Sequence, residues 1–191
     1  MGVSKLVAVI CLSMDGVAEE PSWTTPFWND DHGKFHAGQL ARSRALVLGR
    51  RTFEELSKVW PTLGDADEGA ARLVNMPKYV ASTTLENPQW NAAVLKGDVA
   101  EEVAGLKSEP GRDLLIYGSG RLVNHLLGHG LVDELKLFLH PVVVGGGRRL
   151  FPEHGGSTTW TLAGTTTFES GAVVLDYRPA AAAGPATGPA P

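Results

Sequence analysis

The chain has 191 residues, enough for one domain that buries roughly two-thirds of its unfolded surface. A formal charge of −4 argues against general nucleic-acid binding, and no apolar run approaches the ~20 residues of a membrane span, so with no signal-peptide cleavage site a cytoplasmic protein is expected. A single cysteine, Cys11, rules out an intrachain disulfide, and the six histidines lack metal-ligand spacing, so no metal is expected.

Lys5–Leu12 is apolar and β-branched, which predicts a strand covered on both faces. Ser13–Asn29 carries Asp15-Gly16, Pro21, Trp23, Pro26, Phe27 and Trp28, and reads as a long loop of the kind that forms lids or binding walls. Phe35, Ala37, Leu40 and Ala41 predict a helix over Asp30–Ser43. Ala45–Leu48 is a buried strand ended by Gly49. Thr52 with Glu55 then gives a capping-box pattern for a helix over Thr52–Lys58. Trp60–Ala70 reads as a Pro/Gly/Asp loop. Strands follow at Lys78–Ser82 and Ala92–Leu95. Asp98 with Glu101 caps a helix whose inner face is Val99, Val103 and Leu106, ended by Pro110-Gly111. Leu114–Tyr117 is a strand and Ser119–Leu127 a helix, with Gly128 and Gly130 as its stop. Glu134–His140 is a strand, residues 145–147 a turn, and Trp160–Thr166 with Ala172–Tyr177 a terminal hairpin. The domain is expected to span residues 1–178, and residues 179–191, all Ala, Gly, Pro and Thr, form a disordered tail.

Alternating strands and helices that give way to strands alone predict an α/β fold. Its central sheet is mostly parallel, flanked by helices, with a C-terminal antiparallel hairpin. Ligands of such sheets bind outside the carboxyl ends of the strands. Three segments lie there. The first, Gly118-Ser119-Gly120-Arg121-Leu122, joins a strand to a helix N-terminus, where free N–H groups and the helix dipole suit a phosphate. Gly49-Arg50-Arg51-Thr52 repeats that junction and adds two guanidinium groups, whose planar forks suit phosphate oxygens. Ser82-Thr83-Thr84 supplies hydroxyls. The two glycine turns together predict a two-point clamp for a phosphorylated dinucleotide. The chain lacks the third glycine of the dinucleotide fingerprint, since Val123 stands there, and it lacks a P-loop and a nucleophile elbow. Gly145-Gly-Gly-Arg-Arg149 reads as a solvated hairpin before an anion site.

These residues resemble the dihydrofolate reductase superfold, and more closely the reductase domain of bifunctional riboflavin biosynthesis proteins and its stand-alone bacterial relatives. The matching pieces are Ser13-Met-Asp-Gly16, Leu46-Val-Leu-Gly-Arg-Arg-Thr-Phe53, Tyr79-Val-Ala-Ser82, Leu115 to Val123, and Leu131 to Gly147, within residues 4–178. The resemblance implies a dihydrofolate reductase-like fold and an NADPH-dependent reductase. Its substrate would be a heterocyclic or ribose-derived compound, as in 5-amino-6-(5-phosphoribosylamino)uracil reductases. A dihydrofolate or pterin reductase and a non-catalytic NADPH-binding protein are the alternatives.

By the same resemblance, Gly49, Arg50, Arg51 and Thr52 hold the 2′-phosphate and pyrophosphate. Ser82 and Thr83 flank the adenosine phosphate. Gly118, Ser119, Gly120, Arg121 and Leu122 hold the pyrophosphate and nicotinamide ribose. Ile10, Cys11 and Ala18 line the nicotinamide, with Cys11 a small wall residue and no nucleophile. The carboxylate that folate-reducing members carry on the helix after the long loop falls on Gly33, next to Asp30 and Asp31. The segment Ser57-Lys-Val-Trp-Pro-Thr-Leu63 lacks the acid of the riboflavin-pathway Asp-x-Pro-x-Leu motif. Asp15 and Asp31 are therefore the candidate catalytic acids, and Trp28 the candidate substrate contact. A homodimer through Leu135–Val144 and the hairpin is expected, as in such relatives.

Overall fold

Val7, Val9 and Cys11 alternate with Leu6, Ala8, Ile10 and Leu12 in β1 (Leu6–Leu12), and nearly all are buried, so this strand has core on both faces. The computed structural model, which describes residues 3–63, 68–151, 153 and 156–180, builds one eight-stranded sheet around it. The order of elements after β1 is a short 3₁₀ helix (Pro21–Phe27), α1 (Asp30–Arg42), β2 (Ser43–Gly49), α2 (Arg50–Leu63), α3 (Glu68–Asn75), β3 (Lys78–Ala81), β4 (Ala92–Leu95), α4 (Val99–Ser108), β5 (Asp113–Tyr117), α5 (Gly120–Gly128), β6 (Glu134–Leu139), β7 (Trp160–Thr167) and β8 (Val173–Pro179).

The strand order is β4-β3-β2-β5-β1-β6-β8-β7. Strands β1 to β6 are parallel, and β8 runs antiparallel to both β6 and β7. The expected mostly parallel α/β sheet with a C-terminal antiparallel hairpin is what forms. Leu40 of α1, Phe53 of α2 and Leu73 of α3 pack on one face with Val7, Val9 and Leu48. Val103 of α4 and Leu122, Val123 and Leu126 of α5 pack on the other with Leu6, Ala8 and Ile10. No helix among the described residues is long and apolar enough to cross a membrane.

Three expectations need correction. The long loop after β1 contains a 3₁₀ helix, opened by Pro21 in its first turn. The stretch expected as a Pro/Gly/Asp loop is helix on both sides of residues 64–67, which lie outside the described residues. Helix α2 runs through Pro61 to Leu63: the proline forgoes the N–H bond to the Ser57 carbonyl, and the core contacts of Leu56 and Trp60 outweigh that loss. Helix α3 is held from outside its own sequence. Arg72 donates from Nε to the Leu40 carbonyl and from Nη2 to that of Ser43, each at 2.6 Å, closing the C-terminal end of α1.

At the far end, β8 continues through Pro179, and the Ala180 N–H donates to the Thr159 carbonyl at 3.1 Å, so the ordered hairpin extends two residues past the expected boundary. The remainder of the expected tail, residues 181–191, lies outside the described residues. The cap at α4 forms as expected: one Asp98 carboxylate oxygen accepts from the N–H groups of Ala100 and Glu101 at 2.9 and 3.0 Å. Asp98→Ala should cost about 1 kcal/mol and lower the melting temperature by about 2–4 °C in a thermal scan.

Candidate active site

Strand β5 lies between β2 and β1, yet the helices that follow β1 and β2 cover one face while the helix after β5 covers the other. Chain segments therefore diverge above β5 on both sides. Two adjacent crevices open at the carboxyl ends of the strands, the position where ligands of open α/β sheets bind.

The β2/β5 crevice is made by the two glycine turns, which touch each other. Ser119 adopts a left-handed conformation, φ 61°, that carries its hydroxyl back across the sheet edge. There Oγ accepts the Gly49 N–H at 2.8 Å and donates to Thr52 Oγ1 at 2.9 Å. A Cβ on Gly49 would sit 3.3 Å from Ser119 Oγ, and one on Gly118, φ +56°, would sit 3.5 Å from Thr52. The expected pair of separated phosphate turns is thus one stitched platform. Helix α2 begins at Arg50, so Thr52 sits in its first turn and bonds Ser119, and no capping box forms with the exposed Glu55. The first turns of α2 and α5 both present N–H groups that no intrahelical carbonyl can pair.

Arg50 reaches outward along β3. Its Nε donates to Glu54 at 2.6 Å and its Nη1 to Thr84 Oγ1, which places it on a cleft of about 1050 Å³ with Ser82, Thr83, Thr84 and Lys96. Ser82 Oγ accepts the N–H groups of Thr84 and Leu85 and so shapes the turn. Arg51 points to the long loop, where Glu19 Oε1 lies 3.4 Å from its Nη1. Arg121 opens onto a separate cleft of about 710 Å³ beside Arg148, Arg149 and Asn124.

In the β1/β5 crevice the Gly118 N–H donates to the Val9 carbonyl at 3.1 Å. The nicotinamide wall expected from Ile10, Cys11 and Ala18 is only partly assembled here. Strand alternation sends Ile10, 1% exposed, into the core beneath α5, together with the packed Ala18 and Leu122, while Cys11 faces α1. Ile10 and Leu122 side chains are core, and only their backbone reaches the edge. Burial pushes the Cys11 thiol up to about 12, which fits the expected inert wall.

Both candidate acids lie elsewhere. Asp15 accepts from Ser13 Oγ at 2.6 Å and from the N–H groups of Val144 and Gly145 at 3.1 and 2.9 Å, which holds its carboxyl at about 2. It clasps the loop after β1 to the loop after β6, and the three donors favour its ionised form. Asp31 is exposed and paired with Lys34 at 3.2 Å on the first turn of α1. A Cβ on Gly33 meets nothing within 4 Å, so no carboxylate takes the pterin-protonating position from that residue either.

What the structure brings to the α1 side of this crevice is a set of histidines. His32 and His36 of α1 and His140, just past β6, surround Phe138 with ring centroids at 4.8, 5.8 and 4.8 Å. Trp28 stacks on His36 at 5.2 Å and 6°, while Trp23 and Phe27 cover His140. Burial depresses all three histidines, His36 to about 4. Tyr117, at the end of β5, packs edge-on to His36, and burial raises its phenol. The signal in the sequence was the i, i+4 spacing of His32 and His36, which puts both on one helix face with Phe35 between them in the same core.

The sequence matches the model of the RibD C-terminal domain over residues 4–174. The uncharacterized protein YyaP of Bacillus subtilis (strain 168) is 29% identical over 177 residues, covering 91% of this chain and 94% of that protein. A crystal structure of a putative riboflavin biosynthesis protein from Shewanella sp. PV-4 matches with a TM-score of 0.70 at 22% identity, over 92% of this chain and 98% of that one. Dihydrofolate reductase from Enterococcus faecalis, complexed with NADP(H), matches with a TM-score of 0.64 at 19% identity, over 93% and 97% of the two chains.

Proposed function

This chain belongs to the RibD C-terminal domain family, and on that premise we propose that it is an NADPH-dependent reductase acting on a C=N or C=O bond of a heterocyclic or ribose-derived substrate. The observation that carries the cofactor assignment is the stitched platform of Gly49, Thr52, Gly118 and Ser119. The residues present fit such a dinucleotide. A Cβ on Gly49 would crowd Ser119, Gly118 takes the positive φ of +56° that favours glycine, and two helix N-termini meet beside an arginine pair.

When bound, the nicotinamide supplies the hydride. The first turns of α2 and α5 would hold the pyrophosphate. Arg50 and Arg51, with Ser82 to Thr84 beside them, would take the 2′-phosphate. The Asp15 clasp and the 3₁₀ helix would hold the long loop over the β1/β5 crevice and keep water from the transfer path. The engagement of Asp15 and the surface position of Asp31 weigh against the dihydrofolate alternative, which calls for a carboxylate inside the crevice.

Thermal melting tests this reading. At about 1,000-fold excess over its Kd, NADPH contributes about 4 kcal/mol and should raise the midpoint by several degrees. NADH should do much less, and Arg50→Ala with Arg51→Ala should weaken NADPH at least tenfold, since each charge-assisted hydrogen bond contributes about 1.5–3 kcal/mol. An equal response to NADH and NADPH would sink the arginine assignment. Loss of nicotinamide absorbance over a panel of pterins and pyrimidine ribosyl compounds then separates an enzyme from a non-catalytic binder.

A further inference from the structure

We propose that the chain carries a second binding site, at the sheet edge opposite the cofactor platform, for a small hydroxylated monocarboxylate. The site is a cavity of about 270 Å³ between the last turn of α1 and the starts of β1, β5 and β6. Its volume is that of about nine water molecules at roughly 30 Å³ each. Val7 is the one apolar residue among the ten that line it. The starting point is Gln39, which is 9% exposed and lines this cavity with a side-chain amide that has no hydrogen-bond partner among the described residues. Its backbone carbonyl accepts from Ser43 Oγ at 2.8 Å, which leaves the amide to the cavity. Buried amides are nearly always paired, so this one calls for an occupant.

Charge narrows the choice. Glu134 and Lys136 stand two apart on β6 and share the face that carries Val7 and Val9 of β1, with Asp176 of β8 opposite Lys136. Glu134 accepts from Lys5 Nζ at 2.8 Å and lies 3.3 Å from Arg178 Nη2, while Lys136 donates to Asp176 at 2.5 Å. The Asp113 carboxylate accepts the Lys5 N–H at 3.1 Å. All three acids of the lining are thus engaged. Arg42, three residues after Gln39 on the same face of α1, pairs with none of them. Four cations, Lys5, Arg42, Lys136 and Arg178, face three acids, so the cavity has one positive charge in surplus and a free guanidinium to carry it.

These features select the occupant. A guanidinium pairs best with a carboxylate, through two parallel hydrogen bonds. One negative charge cancels the surplus, whereas a phosphate dianion adds repulsion from Glu134 and Asp176. The Gln39 amide both donates and accepts, so it matches a hydroxyl on the body of the ligand. A neutral polyol leaves Arg42 uncompensated, and a halide ion leaves the amide unpaired. An occupant would tie the C-terminal turn of α1 to β1, β6 and β8. It would do so without entering the cofactor platform, which lies at the carboxyl ends of the strands.

The test uses ¹⁵N-labelled protein without cofactor, with glycerate as the probe. The Gln39 side-chain amide is identified by its absence from the spectrum of Gln39→Leu. That variant should fold, because it replaces an unpaired buried amide with a side chain of similar size. Glycerate in the millimolar range should shift the Gln39 amide along a saturable curve, and glycerol, sodium chloride or inorganic phosphate at the same concentration should not. Arg42 is exposed, and Arg42→Gln should weaken glycerate about tenfold or more. Both variants should keep the wild-type NADPH melting shift, so failure here is distinguishable from failure of the reductase reading. An unmoved Gln39 amide would mean that the cavity holds water alone. An equal response to chloride or phosphate, or undiminished glycerate binding by Arg42→Gln, would mean that no carboxylate site exists. Each of these results overturns the proposal.

Discussion

Gly118→Val is expected to abolish the NADPH-induced rise in melting temperature while the protein still folds. Gly118 sits at φ +56°, a region that costs an L-residue roughly 1–2 kcal/mol and a β-branched one more. Its Cβ would already lie 3.5 Å from Thr52 Cγ2, and the two further methyls of valine must push that side chain away. Thr52 then leaves Ser119 Oγ, and with it goes the bond that registers the first turn of α2 against that of α5. The apo protein should melt several degrees lower, because about 2 kcal/mol of strain is spread over a domain of this size. Its far-ultraviolet circular dichroism should be unchanged. An NADPH shift as large as that of the wild type would show that the platform does not hold the cofactor. Ser119→Ala and Thr52→Ala, combined in a double-mutant cycle, should report a coupling of about 0.5–3 kcal/mol, as expected for side chains in direct contact.

The platform was legible because its signals are local. A glycine after a strand and a hydroxyl before a helix announce a turn wherever the rest of the chain goes, and the parallel topology then places all such turns on one edge. The same holds for the Asp98 cap and for β1, whose unbroken apolar run requires a strand covered on both faces. That Gly49 and Ser119 touch was not legible, since contact depends on β2 and β5 being neighbours, and the strand order is not written in either segment. Helices α2 and α3 were hidden for the opposite reason. Pro61 and the Gly/Asp content near it are loop signals, and they were outweighed by the burial of Trp60, Ala70, Leu73 and Met76. In the linear sequence Asp15 is an acid in a loop before Gly16 and nothing more. Its partners come from the loop after β6, so its clasp function appears only in three dimensions. The histidine set around Phe138 draws one member from beyond β6 and two from α1, and apart from the i, i+4 pair it leaves no trace in the linear pattern.

Acid should destabilise this protein steeply between pH 6.5 and about 4, and His36 should account for much of the loss. Burial lowers His36 from 6.5 to about 4, with the nearby His32 and His140 acting in the same direction. In the window between those values the unfolded chain binds a proton that the folded one refuses. Stability therefore rises with pH through the window and falls as pH drops. A difference of about 2.5 pKa units corresponds to roughly 3 kcal/mol at the low end, or a fall of about 6–12 °C in melting temperature. His32 and His140, also depressed by burial, add to the same trend. Among the groups facing the cluster, Asp31 on α1 works the other way by raising His32, while Cys11 on β1 and Tyr117 on β5 stay un-ionised throughout. His36→Phe removes both the titration and an unpaired buried nitrogen. It should melt higher than the wild type at pH 7, by a few degrees for about 1 kcal/mol, and the gap should widen toward pH 4. Parallel melting curves for the two proteins from pH 7 to pH 4 would mean that His36 is not buried neutral in the folded state.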